Sequence, residues 1–142
     1  MTDFQYQSPN TIQEIVLALG QDGQVLAGGQ SLIAAIKHGL LQPSLLVDLK
    51  NIAELQTITL AKDQLLIGAM VSHQLVANHP DIRQKISALA ELANGIGDRQ
   101  IRAMGTIGGS VANHDPAACY PSALLALGAI VITSRRQIMA DD

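Results

Sequence analysis

Gly28 and Gly29 stand between a short apolar run, Gln24–Ala27, and a helix-like segment, Ser31–His38, and that position constrains the fold more than any other feature of the chain. Glycine tolerates left-handed dihedrals and lets another backbone come close, so a strand can turn sharply into a helix there. The flanking segments agree. Ahead of the pair, Thr11-x-x-Glu14 fits a capping box. Ile12, Ile15, Val16 and Leu19 then repeat at helical spacing, and Gly20 and Gly23 flank the exit. Behind it, Leu32, Ala35 and Ile36 give a small apolar face, Lys37 and His38 fill a last turn, and Gly39 is placed to end it. Pro43 separates that helix from Ser44–Leu49, an apolar run that reads as a buried strand. Helix, strand, Gly-Gly turn, helix, strand describes a small α/β lobe over residues 1–50, with mainly parallel strands.

The pattern changes near Asn51. Glu54–Leu60 and Gln64–Met70 are strand-like and join through Ala61-Lys62-Asp63 as a hairpin. Ser72 is positioned to cap a short helix, Pro80 marks the next start, and Asp81–Ala93 carries the spacing of one continuous helix. A Gly-rich loop is predicted over Met104–Ser110, a helix over Pro121–Leu127 and a last strand over Ala129–Thr133. Residues 51–142 therefore read as a second α+β lobe.

Composition removes several classes of function. The chain has 142 residues, 48% of them apolar, which excludes a disordered chain. Apolar runs such as Ser122–Ile132 are broken by Gly128 and too short for a membrane span. No basic segment precedes an apolar stretch, so no signal peptide is visible. With 9 basic and 12 acidic residues, nothing gathers the charge that a nucleic-acid backbone needs. A single cysteine excludes an internal disulfide framework and a cysteine-rich metal or iron–sulfur site, and the cytoplasm is the default compartment. Charged residues are only 15%, below the usual ~25%. That points either to a Gln- and Ser-rich polar surface or to a surface meant to be covered.

Three constellations could carry chemistry. In Ala27-Gly28-Gly29-Gln30-Ser31-Leu32, backbone amides at the turn into a helix can cradle an anion; the same residues serve equally as a tight turn with ordinary capping. Gly105-Thr106-Ile107-Gly108-Gly109-Ser110 packs glycines and hydroxyls into one segment, either as an amide nest for phosphate oxygens or as a glycine-rich corner. Asn113-His114-Asp115-Pro116 offers Asp115 as an acceptor for sugar or ribityl hydroxyls or as a helix cap. His38, His73, His79 and His114 lack metal-ligand spacing, no serine sits in a nucleophile elbow, and Cys119 reads as a small buried side chain. Catalytic residues and a metal site are therefore not expected, and any chemistry would come from a cofactor.

The order of these segments resembles the FAD-binding, or medium, subunit of molybdenum hydroxylases, the family of the carbon monoxide dehydrogenase medium subunit and the flavin domain of xanthine dehydrogenase. The likeness runs from Phe4-Gln5-Tyr6-Gln7-Ser8-Pro9 through Ala27–Leu32 and Leu66-Ile67-Gly68-Ala69-Met70. Its strongest block is Arg99–Ser110, continued by Ala112–Ala118 and Pro121–Ala129. The resemblance implies an α+β, two-lobed FAD-binding fold of the vanillyl-alcohol oxidase and MurB-like type rather than a Rossmann fold. It implies that Ala27, Gly28, Gly29, Gln30, Ser31 and Leu32 bind the FAD diphosphate from one side. Thr106, Ile107, Gly108, Gly109 and Ser110 would bind it from the other, with Gly68 and Ala69 near the cofactor and Asp115 at the ribityl or sugar region. It further implies partners: a molybdopterin-binding large subunit and a small subunit with 2Fe–2S clusters, from which electrons pass through FAD to an external acceptor.

The chain also departs from that family. Medium subunits run about twice this length, whereas this chain stops at Ala140-Asp141-Asp142. Arg136-Gln137-Ile138 lacks the aromatic residue expected soon after it, and His114 stands where the family often has Ala. The second lobe and C-terminal domain are thus expected to be incomplete. A truncated, non-catalytic paralogue acting as a scaffold without flavin is the alternative expectation, and self-association is expected from the low charge.

Overall fold

The computed structural model describes residues 3–20 and 22–141. Three parallel strands open the fold: β1 (Gln5–Gln7), β2 (Gly23–Leu26) and β3 (Leu45–Asp48), in the order β1-β3-β2. Helix α1 (Ile12–Leu19) links β1 to β2, and α2 (Leu32–Lys37) links β2 to β3. The Thr11 hydroxyl accepts from the Glu14 N–H and the Glu14 carboxylate accepts from the Asn10 N–H, closing the first turn of α1. Leu45, Leu46 and Val47 are all buried, as a central parallel strand covered on both faces requires. Ile15 and Ala18 of α1 pack with Leu45, Val47 and Ile52 into one small core. The sheet has a third strand that the sequence pattern did not announce. β1 is short, exposed along its length and at the edge. It is tied to β3 by the Tyr6 hydroxyl, which donates to Asp48 Oδ2 at 2.5 Å and accepts from Lys50 Nζ at 2.6 Å.

The segment Glu54–Leu60, expected as strand, begins with a 3-10 turn over Ala53–Gln56, and strand β4 is confined to Ile58–Ala61. It pairs antiparallel with β5 (Gln64–Ile67) across Lys62-Asp63, Lys62 taking a left-handed φ of 55°. Helices then dominate: α3 (His73–Asn78), α4 (Pro80–Lys85), α5 (Ser87–Asn94), α6 (Arg99–Met104), α7 (Ile107–Asn113) and α8 (Tyr120–Ala126). The single helix expected over Asp81–Ala93 is two, because Ile86 leaves helical dihedrals at φ −139°, ψ 58°. Tertiary packing decides this where no Gly or Pro does: after the break, Leu89, Ala90 and Ala93 are buried with Val76 and Ala77 of α3. Helix α6 was also not anticipated; Asp98 caps it by accepting from the Ile101 N–H at 2.8 Å. Beyond α8, the last expected strand is β6 (Ile130–Ile132), which pairs with an unanticipated β7 (Gln137–Met139).

Val71, Val76, Ile82, Leu89, Ala93, Ile107 and Tyr120 form the second, larger core. The two cores meet along a seam where glycines replace side chains. A Cβ on Gly68 would overlap the Leu55 backbone, and one on Gly28 would run into the Met104 carbonyl oxygen.

Candidate functional site

The seam is where the Gly-rich segments converge. Gly28 lies on the backbone of Met104 and Gly105, and a Cβ on Gly109 would stand 3.5 Å from the Ala27 Cβ. Gly108 lies against Ala69, and its N–H donates to the Ala69 carbonyl at 2.9 Å. The structure thus brings Ala27–Gly28, Gly68–Ala69 and Thr106–Gly109 into one contiguous surface. Close approach explains Gly28, whereas Gly29 is required by its φ of +70°.

The amides of the two segments are in different states. Among the described residues, no protein acceptor takes the N–H of Gly28, Gly29, Gln30, Ser31 or Leu32. Gln30 donates from Nε2 to the Gly28 carbonyl at 3.1 Å, closing the turn on its carbonyl side and leaving the N–H side open. The Ser31 hydroxyl does not cap α2, because Ser31 already has helical dihedrals. The second segment is not the open nest expected from its composition. Thr106 caps α7, so Gly108 and Gly109 fall in a first helical turn. The Ile107 N–H bonds Val71 O, the Gly109 N–H bonds Thr106 Oγ1 and the Ser110 N–H bonds Thr106 O. The arrangement therefore offers a row of free donors from the first segment against a glycine wall from the second.

Asp115 sits at the far end of α7, after His114 in the left-handed region at φ 48°. Its Oδ1 accepts from the Ala117 N–H at 2.7 Å, so the carboxylate fixes its own turn rather than capping a helix. α8 starts at Tyr120, one residue ahead of the helix expected over Pro121–Leu127. Cys119, expected to be buried, is exposed; it precedes α8 as its N-cap residue, and its carbonyl accepts from the Ser122 hydroxyl.

Beneath the wall lies a pair that the sequence reading passed over. His73 is 5% exposed and Tyr120 fully buried, with His73 Nδ1 and the Tyr120 hydroxyl 3.1 Å apart. Burial pushes the His73 pKa down and pushes the Tyr120 phenol above its usual range, so both stay neutral near pH 7. The available signal was one imidazole inside the apolar stretch Met70–Ala77. Among the described residues, no group of three His, Cys, Asp or Glu is placed to hold a metal, and no helix is long and apolar enough to cross a membrane. A hollow of about 470 Å³ between the end of β1 and α1 is lined by Gln7, Ser8, Pro9, Glu14, Leu17 and Ala18 and includes none of the Gly-rich residues.

A parallel α/β sheet feeding a Gly-Gly turn that docks on a second, helical lobe defines the class: a two-lobed α+β domain with a glycine-lined seam. The chain belongs to the family described as the FAD binding domain in molybdopterin dehydrogenase, which it matches over residues 2–141. It is 36% identical to the nicotine 6-hydroxylase medium subunit of Paenarthrobacter nicotinovorans, over 96% of this chain and 50% of that one. It is 39% identical to a carbon monoxide dehydrogenase medium chain of Afipia carboxidovorans, over 89% and 45% respectively. Among solved structures, carbon monoxide dehydrogenase from Hydrogenophaga pseudoflava superposes with a TM-score of 0.92 at 35% identity, covering 97% of this chain and 50% of that one. Quinoline 2-oxidoreductase from Pseudomonas putida 86 also superposes with a TM-score of 0.92, at 34% identity, covering 99% and 51%. The fold is thus the α+β one of these flavin-binding domains, and the chain spans about half the length of the curated relatives it matches.

Proposed function

We propose that this chain binds FAD and serves as the flavin unit of a molybdenum-containing hydroxylase or dehydrogenase. The observation that carries the reading is Gly28 resting on the Met104–Gly105 backbone, with the free amides of Gly28–Leu32 beside it. Those amides fit a diphosphate: no Lys or Arg lies within residues 27–32 or 106–110, so main-chain donors must meet the charge. Thr106–Ser110, Gly68 and Ala69 form the opposing wall, with the Ser110 hydroxyl as a further donor, and Asp115 keeps Oδ2 for a ribityl or sugar hydroxyl. Bound flavin supplies the electron-carrying chemistry; the chain binds, orients and shields it. On this reading the parallel lobe of residues 1–50 carries the diphosphate turn and residues 51–142 carry the wall. The partners are a molybdopterin-binding large subunit and an iron–sulfur small subunit, and the compartment is the cytoplasm. The names of the relatives, medium subunits and medium chains, support that assembly.

Titration of FAD by calorimetry tests the reading, with Gly29→Ala set against Gly39→Ala. Both glycines have the same left-handed φ, +70° and +71°, but Gly39 has nothing within 4 Å of its would-be Cβ. The backbone strain is matched, and only the Cβ at position 29 also presses on Ile33 Cγ1 and Leu26 Cδ1, at 3.1 and 3.3 Å; FAD binding weakens in Gly29→Ala and persists in Gly39→Ala. A parent chain that binds no FAD at saturating cofactor overturns the reading in favour of a scaffold without flavin. Equal loss in the two variants removes the assignment of the Gly28–Leu32 turn.

A further inference from the structure

We propose that His73 is a positioning residue for the Gly-rich site: its neutral imidazole, tied to Tyr120 and pressed against Gly105, holds the Met104–Gly105 backbone where Gly28 rests on it, and protonation loosens the site. This rests on the FAD reading above for its consequence, but not for the coupling between His73 and the turn.

The geometry forms one continuous stack. Tyr120 and His73 lie with ring centroids 5.4 Å apart, tilted by 40°. A Cβ on Gly105 would stand 2.6 Å from His73 Nε2, so the imidazole edge touches the bare Gly105 backbone. The same backbone also meets Gly28. The main chains are fastened as well: the His73 N–H donates to Gly105 O at 2.9 Å, and the Ile107 N–H donates to Val71 O at 3.0 Å. A displacement of the ring therefore acts on the same backbone that Gly28, the first residue of the Gly28–Leu32 turn, rests on.

Protonation supplies that displacement. With the proton on Nε2, the Tyr120 hydroxyl donates to Nδ1. A second proton, on Nδ1, sets donor against donor unless the hydroxyl rotates. Among the described residues, no carboxylate pairs with the resulting cation. The elements packed against α3 carry Asp81, Arg83 and Lys85 on α4, Glu91 on α5, and Arg99 and Arg102 on α6. None of them moves the His73 pKa; burial alone lowers it. Arg102 is occupied by the carbonyls of Ile96 and Gly97. An unpaired buried charge is strongly disfavoured, so the protonated ring must move toward water.

The test follows the His73 ring and the amides of Gly28, Gly29 and Gly105 by nuclear magnetic resonance through a pH titration of the FAD-free 142-residue chain. Calorimetry measures FAD affinity over the same range. The amides should titrate with the midpoint of the His73 ring, and affinity should fall roughly fivefold or more across it. His73→Gln should flatten both profiles, whereas a merely structural role would lower stability and leave the pH dependence in place. Should His73→Gln fail to fold, Tyr120→Phe keeps the ring packing and deletes only the hydroxyl; ring and amide midpoints must then move together. Gly amides that ignore the ring titration overturn the proposal, as does a folded His73→Gln chain with the parent's pH profile. Amides that follow His73 in a chain that binds no FAD uphold the coupling and reject the FAD reading.

Discussion

A Cβ at Gly28 would overlap the Met104 carbonyl oxygen and come within 2.8 Å of the Gly105 Cα, and neither backbone atom can rotate away. Gly28→Ala therefore has to separate the two lobes at the seam. A cost of about 1–3 kcal/mol is expected from such overpacking, read as a lower urea midpoint, together with loss of FAD binding. Gly39→Ala should cost about 1–2 kcal/mol through its left-handed φ alone and leave binding intact. The pH dependence of stability also belongs to single residues. Burial lowers the folded pKa of His73 below the ordinary imidazole value of 6.5, so between the two values the unfolded chain holds more protons. The stabilising contribution of neutral His73 is thus complete above about pH 6.5 and is lost as pH falls through the folded pKa. Urea unfolding on either side of that window should show lower stability on the acid side, and His73→Gln should remove that component. At this scale the sequence singled out glycines that the structure gathers at the seam, but not how each is held there. The two adjacent glycines at 28 and 29 look alike in sequence, yet one is required by a neighbour from residue 104 and the other by its own φ. Only the first depends on tertiary contact, which a local pattern does not carry.

Helix caps determine how the elements meet the seam. Ser72 and Thr106 are bridged to one another as neighbouring strand residues, and each then caps its own helix. Ser72 Oγ accepts from the Leu75 N–H and Thr106 Oγ1 from the Gly109 N–H. α3 and α7 therefore diverge from a single point beneath the glycine wall. Thr106→Val keeps the shape, removes the acceptor and leaves the half-buried Gly109 N–H without that partner. A loss of about 0.5–2 kcal/mol is expected, with a change in the Gly109 amide signal. Ser72→Ala should cost a comparable amount without altering the wall. Elements with strong local signals were legible: α1 through its capping box, β3 through its apolar run, and the β4–β5 hairpin. Those missed were short or decided elsewhere. β1 and β7 are each 3 residues long and gain their pairing from distant partners. The glycines at 108 and 109 suggested a loop because their composition disfavours helix, yet the Thr106 cap and the Ala69 and Val71 carbonyls hold them in one.

For the whole molecule, the low charge has a structural counterpart. Large apolar side chains stand exposed at both ends: Leu17 at 69% and Leu40 at 76% on the parallel lobe, and Leu125 at 56% and Ile132 at 60% on α8 and the β6–β7 hairpin. Beside the latter lies a hollow of about 260 Å³ lined by Ala88, Leu89, Leu92, Ser122, Ala123, Ala126 and Leu127. A soluble monomer seldom leaves large apolar patches uncovered, and with 15% charged residues few charged side chains are available to separate these residues. Self-association, or dependence on a partner chain for solubility, is the expected behaviour. Sedimentation equilibrium at micromolar concentration should give a mass above the 15.0 kDa of one chain, rising with concentration. Leu125→Lys with Ile132→Lys should return it toward the monomer if the hairpin end is responsible, and Leu17→Lys with Leu40→Lys if the parallel lobe is. Neither pair touches the glycine seam, so FAD affinity should survive both. A parent chain that sediments as a monomer at every concentration would remove the case for a covered surface and leave the low charge to its Gln- and Ser-rich exterior.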